Sequence, residues 1–440
     1  MANPPSSLPR RRQADTAEAR GRTRRPETGT PPAAQNGTRP HDTRSAAAVV
    51  AVKRLFAAET GSFFLILGTT LFMVVLGLVM VLSSSSVEQY ISSNHTSFFG
   101  AFVRQSIYAA IGIPGMLIVS RVPVSFWKRW AWHIVAVAVF LQLLVFSPLG
   151  FEFGGNRNWL NLGAFTAQPS EVVKLALAIW LGMILSVKRD LLGDWKHLAI
   201  PLVPVVFLSV GLVILGGDLG TTMIILLLVF AAVYFAGVKL RFLALPVVAL
   251  AVLLPIIAHG SDSRSSRIAA WMSGCSASSD YQAACWQTLH GTWALASGGV
   301  FGVGLGNSKS KWSWLPEADN DFIFAIIGEE LGLIGAIVVL GLFVVLAVGF
   351  VKIIRRTNDP FVRVTTGAIM AWIIGQALVN IAVVLGLLPV LGVPLPLISA
   401  GGSALILTLL AIGVVLSFAR RPEEPVVQQT VPGGRVGSLR

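Results

Sequence analysis

The chain has 440 residues, 54% of them hydrophobic and only 12% charged, with a net charge of +13 and a mean hydropathy of +0.73. Apolar runs of about 17–25 residues recur along it, the length a helix needs to cross ~30 Å of hydrocarbon, which excludes an ordinary soluble domain and specifies an all-α polytopic membrane protein. The charge does not indicate nucleic acid, because residues 1–54 alone hold eleven Arg and Lys against four Asp and Glu and carry most of the excess.

Residues 1–54 are rich in Pro, Arg, Thr, Gly and Ala without apolar periodicity, which predicts a disordered basic tail. Such a tail suits the cytoplasm, near anionic lipid or an acidic partner, or serves only to keep the N-terminus inside. A transmembrane domain over 55–420 follows, with about ten spans near 63–82, 105–120, 131–148, 171–187, 200–216, 219–236, 242–258, 322–350, 363–387 and 404–419. Basic residues fall in alternate connections, among them Arg121, Lys128, Lys188, Lys239, Arg355 and Arg420. The positive-inside rule places those connections, both termini and the tail 421–440 in the cytoplasm of a cell membrane.

The opposite connections are larger, and the longest lies between the seventh and eighth spans, at about 259–321. It contains both cysteines, Cys275 and Cys285, which in an oxidising compartment read as a structural disulfide. Three other stretches on this outer side concentrate polar and turn-forming residues. The first, 154–176, holds Arg157 and then Pro169, Glu171 and Lys174 at a helix start; Glu171 and Lys174 share a helical face and can neutralise each other, while Arg157 with Lys174 suggests an anion site. The second, 293–312, is a glycine run ending in Lys309 and Lys311, which can bring backbone amides and ammonium groups to a phosphate or touch lipid headgroups. The third, 388–403, has three prolines in eight residues and ends at Ser403; its irregular backbone reads as a cavity wall, with Asn380 in the preceding span available to hydrogen-bond across helices.

The stretch 315–332 sets Glu317, Asp319, Asn320, Asp321, Glu329 and Glu330 around the start of an apolar helix. Charge there is costly and is tolerated mainly where it faces protein or water. Asp321 fits either a helix-start residue or a catalytic carboxylate. Asp218, between two spans, fits either a turn cap or a member of the same outer rim.

Together, 156–174, 315–332 and 388–403, in this order and on one side, resemble the SEDS family (shape, elongation, division and sporulation) of peptidoglycan glycosyltransferases, over about 63–420. The tail and the residues 305–318 are similar to the division-type, FtsW-like branch more than to the elongation-type RodA branch; Ala400 departs from a Tyr common in the family. The resemblance implies polymerisation of lipid II during septal cell-wall synthesis, with Asp321 as general base and Arg157, Lys174, Lys309, Lys311, Glu317 and Ser403 as substrate contacts. It also implies a class B penicillin-binding protein and other divisome proteins as partners. No cofactor is required, although a divalent cation, Mg or Mn, could bridge pyrophosphate and carboxylates. A lipid II flippase and a non-catalytic divisome scaffold share these features and stay open.

Overall fold

The computed structural model describes residues 60–92, 98–153, 156–161, 163, 166–239, 262–272, 274–275, 285–312 and 314–420. The expected tails 1–54 and 421–440 and the expected span 242–258 lie outside the described residues. Long apolar helices dominate: α1 (Gly61–Ser92), α2 (Gly100–Val119), α3 (Val124–Leu144), α4 (Pro169–Val187), α5 (Trp195–Leu215), α6 (Leu219–Phe235), α9 (Ile323–Arg356), α10 (Pro360–Val384) and α11 (Ser403–Ala419). Two shorter helices, α7 (Asp262–Met272) and α8 (Trp286–Gly298), occupy the stretch expected as the long loop. Segments of α1, α2, α4, α9 and α10 are long and apolar enough to cross a membrane, so the chain is a multi-pass membrane protein.

α4 and α10 form the centre, packed on each other and on α6, with α3 against α4, α2 against α11 and α1 against α9. Trp180 of α4 and Trp372 of α10 are fully buried there. Small residues permit the approach: a Cβ at Gly182 would lie 1.9 Å from Thr365 Oγ1, the small-residue contact by which helices associate in lipid.

Three features depart from the sequence reading. α1 continues through the expected loop to Ser92, because the hydroxyls of Ser84, Ser85 and Ser86 fold back onto carbonyls of Val81 and Ser83 and remain compatible with a helix. The fold is not all helical either, since β1 (Gly150–Phe153), β2 (Asn156–Asn161) and β3 (Thr166–Ala167) form an antiparallel sheet in the order β1-β2-β3. Finally, α9 is broken at Gly332, whose φ is +68° and ψ −166°.

The glycine run fills that break. Val303 and Gly304 donate backbone hydrogen bonds to the carbonyls of Glu329 and Glu330, while Leu333 and Ile334 donate to Gly299 and Val300. The loop therefore replaces the helical bonds lost at Gly332, as irregular backbone inside a membrane protein requires. Side chains of the loop and of α1 join the same knot: Ser308 Oγ donates to Glu329 at 2.5 Å, and Ser83 Oγ of α1 to Glu330 at 2.7 Å. Lys311 Nζ donates to Gly306 O at 2.6 Å and lies 3.5 Å from Glu330.

A Cβ at Gly332 would stand 2.4 Å from Gly302 N and 2.5 Å from Val300 O. Gly332→Ala should therefore undock the loop and cost ~1–3 kcal/mol, read as a thermal midpoint in detergent lower by a few degrees. Gly341→Ala, where an added Cβ meets nothing within 4 Å, should leave the midpoint unchanged; equal midpoints for both variants would contradict the docking account.

Candidate active site

A cavity of about 580 Å³ opens where the sheet, the starts of α2 and α6, α7, the turn 317–321 and the proline-rich segment meet. That segment cannot pair its own backbone as a helix would, and side chains satisfy it instead. Gln376 Nε2 donates to Pro394 O at 2.9 Å, and Asn380 Nδ2 to Val393 O at 2.8 Å. Ser399 Oγ accepts from Leu395 N at 2.8 Å, and Gln105 Nε2 donates to Ser399 O at 2.9 Å.

The same groups seize the acidic turn. Asn380 Nδ2 also donates to Asp321 O at 2.7 Å, Ser399 Oγ to Asn320 O at 2.7 Å, and Ala400 N to Asp319 O at 2.9 Å. Asp321 is thus fixed by its backbone, not by its carboxylate. Its Oδ1 is buried without a hydrogen-bond partner, and its Oδ2 would lie 3.5 Å from a Cβ at Gly392. α9 begins after Phe322 with no side-chain cap, so Asp321 does not serve the helix start that its sequence position also allowed.

Asp218 provides the contrast. Its Oδ1 caps α6 by accepting from Thr221 N at 2.8 Å, and its Oδ2 accepts from Asn158 and Gln168 at 2.9 and 3.0 Å. Three donors satisfy one carboxylate, while Oδ1 of Asp321 has none among the described residues. Burial first, then the charges of Glu317, Asp218 and Asp319, raise the Asp321 pKa from 3.8 to about 7 against the opposing pull of Arg267. A carboxylate in a cavity with a pKa near neutrality is suited to proton transfer.

The cations expected from sequence are placed elsewhere. Lys174 is buried, 2.7 Å from Glu171, 3.0 Å from Gln376 Oε1 and over the Trp372 ring; a buried ammonium takes the nearest carboxylate. Arg157 donates to the carbonyls of Val145 and Ser147 just past the end of α3, at 3.2 and 3.1 Å, where a cation suits unpaired carbonyls. Lys311 belongs to the Glu330 knot; Lys309 is exposed, its backbone amide bound to Glu329. Ser403 Oγ accepts from Gln168 N at 3.2 Å. None of these five lines the cavity, whereas Glu317 does, with φ +55° and an Asn320 amide at 3.3 Å.

Two other guanidinium groups, Arg104 of α2 and Arg267 of α7, line it instead. Neither makes a hydrogen bond or ion pair among the described residues. The signal that could have found Arg104 is a lone cation at one end of a span with no acidic residue three or four positions away. Cys275 and Cys285 form a disulfide between the end of α7 and the start of α8. Among the described residues, no three His, Cys, Asp or Glu side chains are grouped to hold a metal ion.

A family model described as cell cycle protein, covering FtsW, RodA and SpoVE, matches residues 63–424. The chain belongs to the FtsW/RodA/SpoVE family. Among the relatives of this FtsW/RodA/SpoVE chain, a probable peptidoglycan glycosyltransferase FtsW of Mycobacterium tuberculosis is 38% identical over 366 residues, 83% of this chain and 69% of that one. Stage V sporulation protein E of Bacillus subtilis is 33% identical over 364 residues, 82% of this chain and 98% of that one. Among solved structures, a chain of a peptidoglycan synthase complex that coordinates polymerization and crosslinking superposes with a TM-score of 0.66 at 25% identity, over 81% of this chain and 96% of that one. The rod shape determining protein RodA of Thermus thermophilus gives 0.60 at 25% identity, over 81% and 96%.

An unfolded aspartate titrates near 3.9, so between about pH 4 and 7 the folded protein retains a proton at Asp321 that the unfolded chain has lost, and stability falls as pH rises through that window. Asp321→Asn should remove this penalty. Its advantage in thermal stability over the natural protein should grow by about 1 kcal/mol per pH unit across the window and level off above it; parallel stability curves would contradict the raised pKa.

Proposed function

We propose that this protein is a peptidoglycan glycosyltransferase that polymerises lipid II, an undecaprenyl-pyrophosphate-linked disaccharide peptide, into glycan strands during septal cell-wall synthesis. The observation that carries the reading is the Asp321 carboxylate, its Oδ1 without a hydrogen-bond partner among the described residues, in a cavity also lined by Arg104 and Arg267. The names borne by its family relatives support the same activity.

In this reading the Asp321 carboxylate takes the proton from the attacking GlcNAc hydroxyl as its oxygen bonds to the anomeric carbon of the growing strand. The bond from that carbon to undecaprenyl pyrophosphate breaks, and its electron pair leaves with the pyrophosphate. Arg104 and Arg267 receive that negative charge through charge-assisted hydrogen bonds. Glu317 positions the acidic turn through Asn320. Lys174, Arg157, Lys311 and Ser403 contribute through the walls to which they are bonded.

The cavity faces outward in this arrangement. It lies at the starts of α2, α6 and α9, whereas Arg121, Lys188, Arg355 and Arg356 lie at the far ends of α2, α4 and α9, the side the positive-inside rule assigns to the cytoplasm. Ten spans with both termini and both tails inside complete the topology. A class B penicillin-binding protein is the expected transpeptidase partner, on the analogy of the solved synthase complex, together with other divisome proteins.

With purified lipid II and the cognate transpeptidase, the natural protein should form glycan polymer, and Asp321→Ala and Asp321→Asn should lower the rate at least ~100-fold while remaining folded. The natural rate should rise as pH increases through about 7, where Asp321 loses its proton. Equal polymer from all three proteins would overturn the assignment of Asp321.

A further inference from the structure

α2 and α11 pack side by side and run in the same direction, since Gly112 and Met116 of α2 stand against Leu409 and Gly413 of α11 in turn. Glycines bring the two backbones together: a Cβ at Gly112 would lie 2.6 Å from Leu409 Cδ1, and one at Gly413 would lie 2.7 Å from Met116 O. The two helix starts therefore reach the cavity together. α2 lines it with Arg104, Gln105 and Tyr108, which share one helical face, and the α11 start lines it with Gly401, Gly402 and Ala404.

That helix start is bare. Gly402, the residue before α11, brings no side-chain cap, and Ser403 Oγ accepts from Gln168 N instead. Ala404 N and Leu405 N are taken by the carbonyls of Gly401 and Gly402, at 3.0 and 3.2 Å. The N–H groups of Gly402 and Ser403 make no hydrogen bond among the described residues. Open amides at the start of a 17-residue helix carry partial positive charge and favour an anion.

A side chain from the other helix points to the same position. Tyr108 is only 7% exposed, yet its hydroxyl makes no hydrogen bond among the described residues. Its hydroxyl end is set against the α11 start, for a Cβ at Gly402 would lie 3.5 Å from Cε2, 3.7 Å from Cζ and 3.8 Å from Oη. Buried phenol hydroxyls are satisfied in folded proteins, and a ligand in the cavity can satisfy this one.

The distribution of charge sets the sign of that ligand. Neither 100–119 nor 394–419 contains an Asp or Glu, whereas the acids that line the cavity come from Asp218 and the turn 317–321. Arg104, one turn before Tyr108, adds a cation to the acid-free wall.

We propose that the start of α11 and Tyr108 form a diphosphate seat: Gly402 N, Ser403 N and Tyr108 Oη donate hydrogen bonds to oxygens of the pyrophosphate that links the substrate's sugar to its lipid. Arg104 supplies the opposite charge. The inference rests on the glycosyl-transfer reading above and deepens it, because the wall built by α2 and α11 then holds the leaving group while Asp321 takes the proton.

Binding of inorganic pyrophosphate to the purified full-length protein in detergent, followed by calorimetry, tests the seat without turnover. Tyr108→Phe should weaken binding about tenfold, the effect of one hydrogen bond to a charged group, at an unchanged thermal midpoint. Ser403→Pro removes an N–H at a helix position that accepts proline and should weaken binding by about the same factor. Ser403→Ala keeps that N–H and should bind as the natural protein does. If Ser403→Pro does not fold, Tyr108→Phe decides alone.

No binding by the natural protein, or equal binding by the natural protein and Tyr108→Phe, would overturn the seat; glycan polymer formed from lipid II by the same preparation would leave the glycosyl-transfer reading standing. Binding that depends on Tyr108 in a preparation that forms no polymer would overturn that reading and leave the diphosphate seat in place.

Discussion

The structure depends on satisfying backbone that a proline-rich sequence leaves open inside an apolar bundle. An unpaired carbonyl removed from water costs several kcal/mol, and residues 388–403 cannot form a helix to avoid it. Gln376 and Asn380, one turn apart on α10, and Gln105 on α2 supply the missing donors. Because Asn380 and Ser399 also hold the backbone at Asp321 and Asn320, the solution to a folding problem fixes one wall of the cavity to the other.

A consequence follows for the charges. The Asp321 backbone is anchored without using its carboxylate, so Oδ1 remains unpaired, whereas Asp218 is consumed by three donors. Two carboxylates on one cavity are thereby separated into one closed by donors and one with an unpaired oxygen. Two buried acids outside the cavity are paired with lysines instead: Glu171 Oε1 with Lys174 at 2.7 Å, its Oε2 having no hydrogen-bond partner among the described residues, and Glu330 with Lys311 at 3.5 Å. Removing either partner of such a pair would strand a charge at a cost of ~3–5 kcal/mol.

The spans were legible because bilayer thickness imposes a length and a composition on each of them. Asp321 was legible as a carboxylate placed at the start of an apolar helix, where charge needs a reason, and Glu317 came with it. The cations were legible only in part. The Glu171–Lys174 pair follows from their spacing on one helical face and is present at 2.7 Å, whereas Gln376 and Ser83, which also bind Lys174 and Lys311, come from elements more than 200 residues away in sequence. Arg104 and Arg267 gave a weaker signal because only tertiary structure brings them to one cavity. The sheet and α7 were missed for a simpler reason, being short elements between spans whose residues carry little periodicity.

The central claim is that Asp321 titrates near neutrality because burial and its acidic neighbours outweigh Arg267. Carbon-13 NMR of the protein labelled at aspartate carboxyl carbons, followed from pH 4 to 9 in detergent, tests it most directly. A carboxyl resonance titrating at about 7 in the natural protein and missing from Asp321→Asn is the result the account predicts. If every aspartate carboxyl titrates below about 5, the ordinary range for the residue, the account is contradicted at its root.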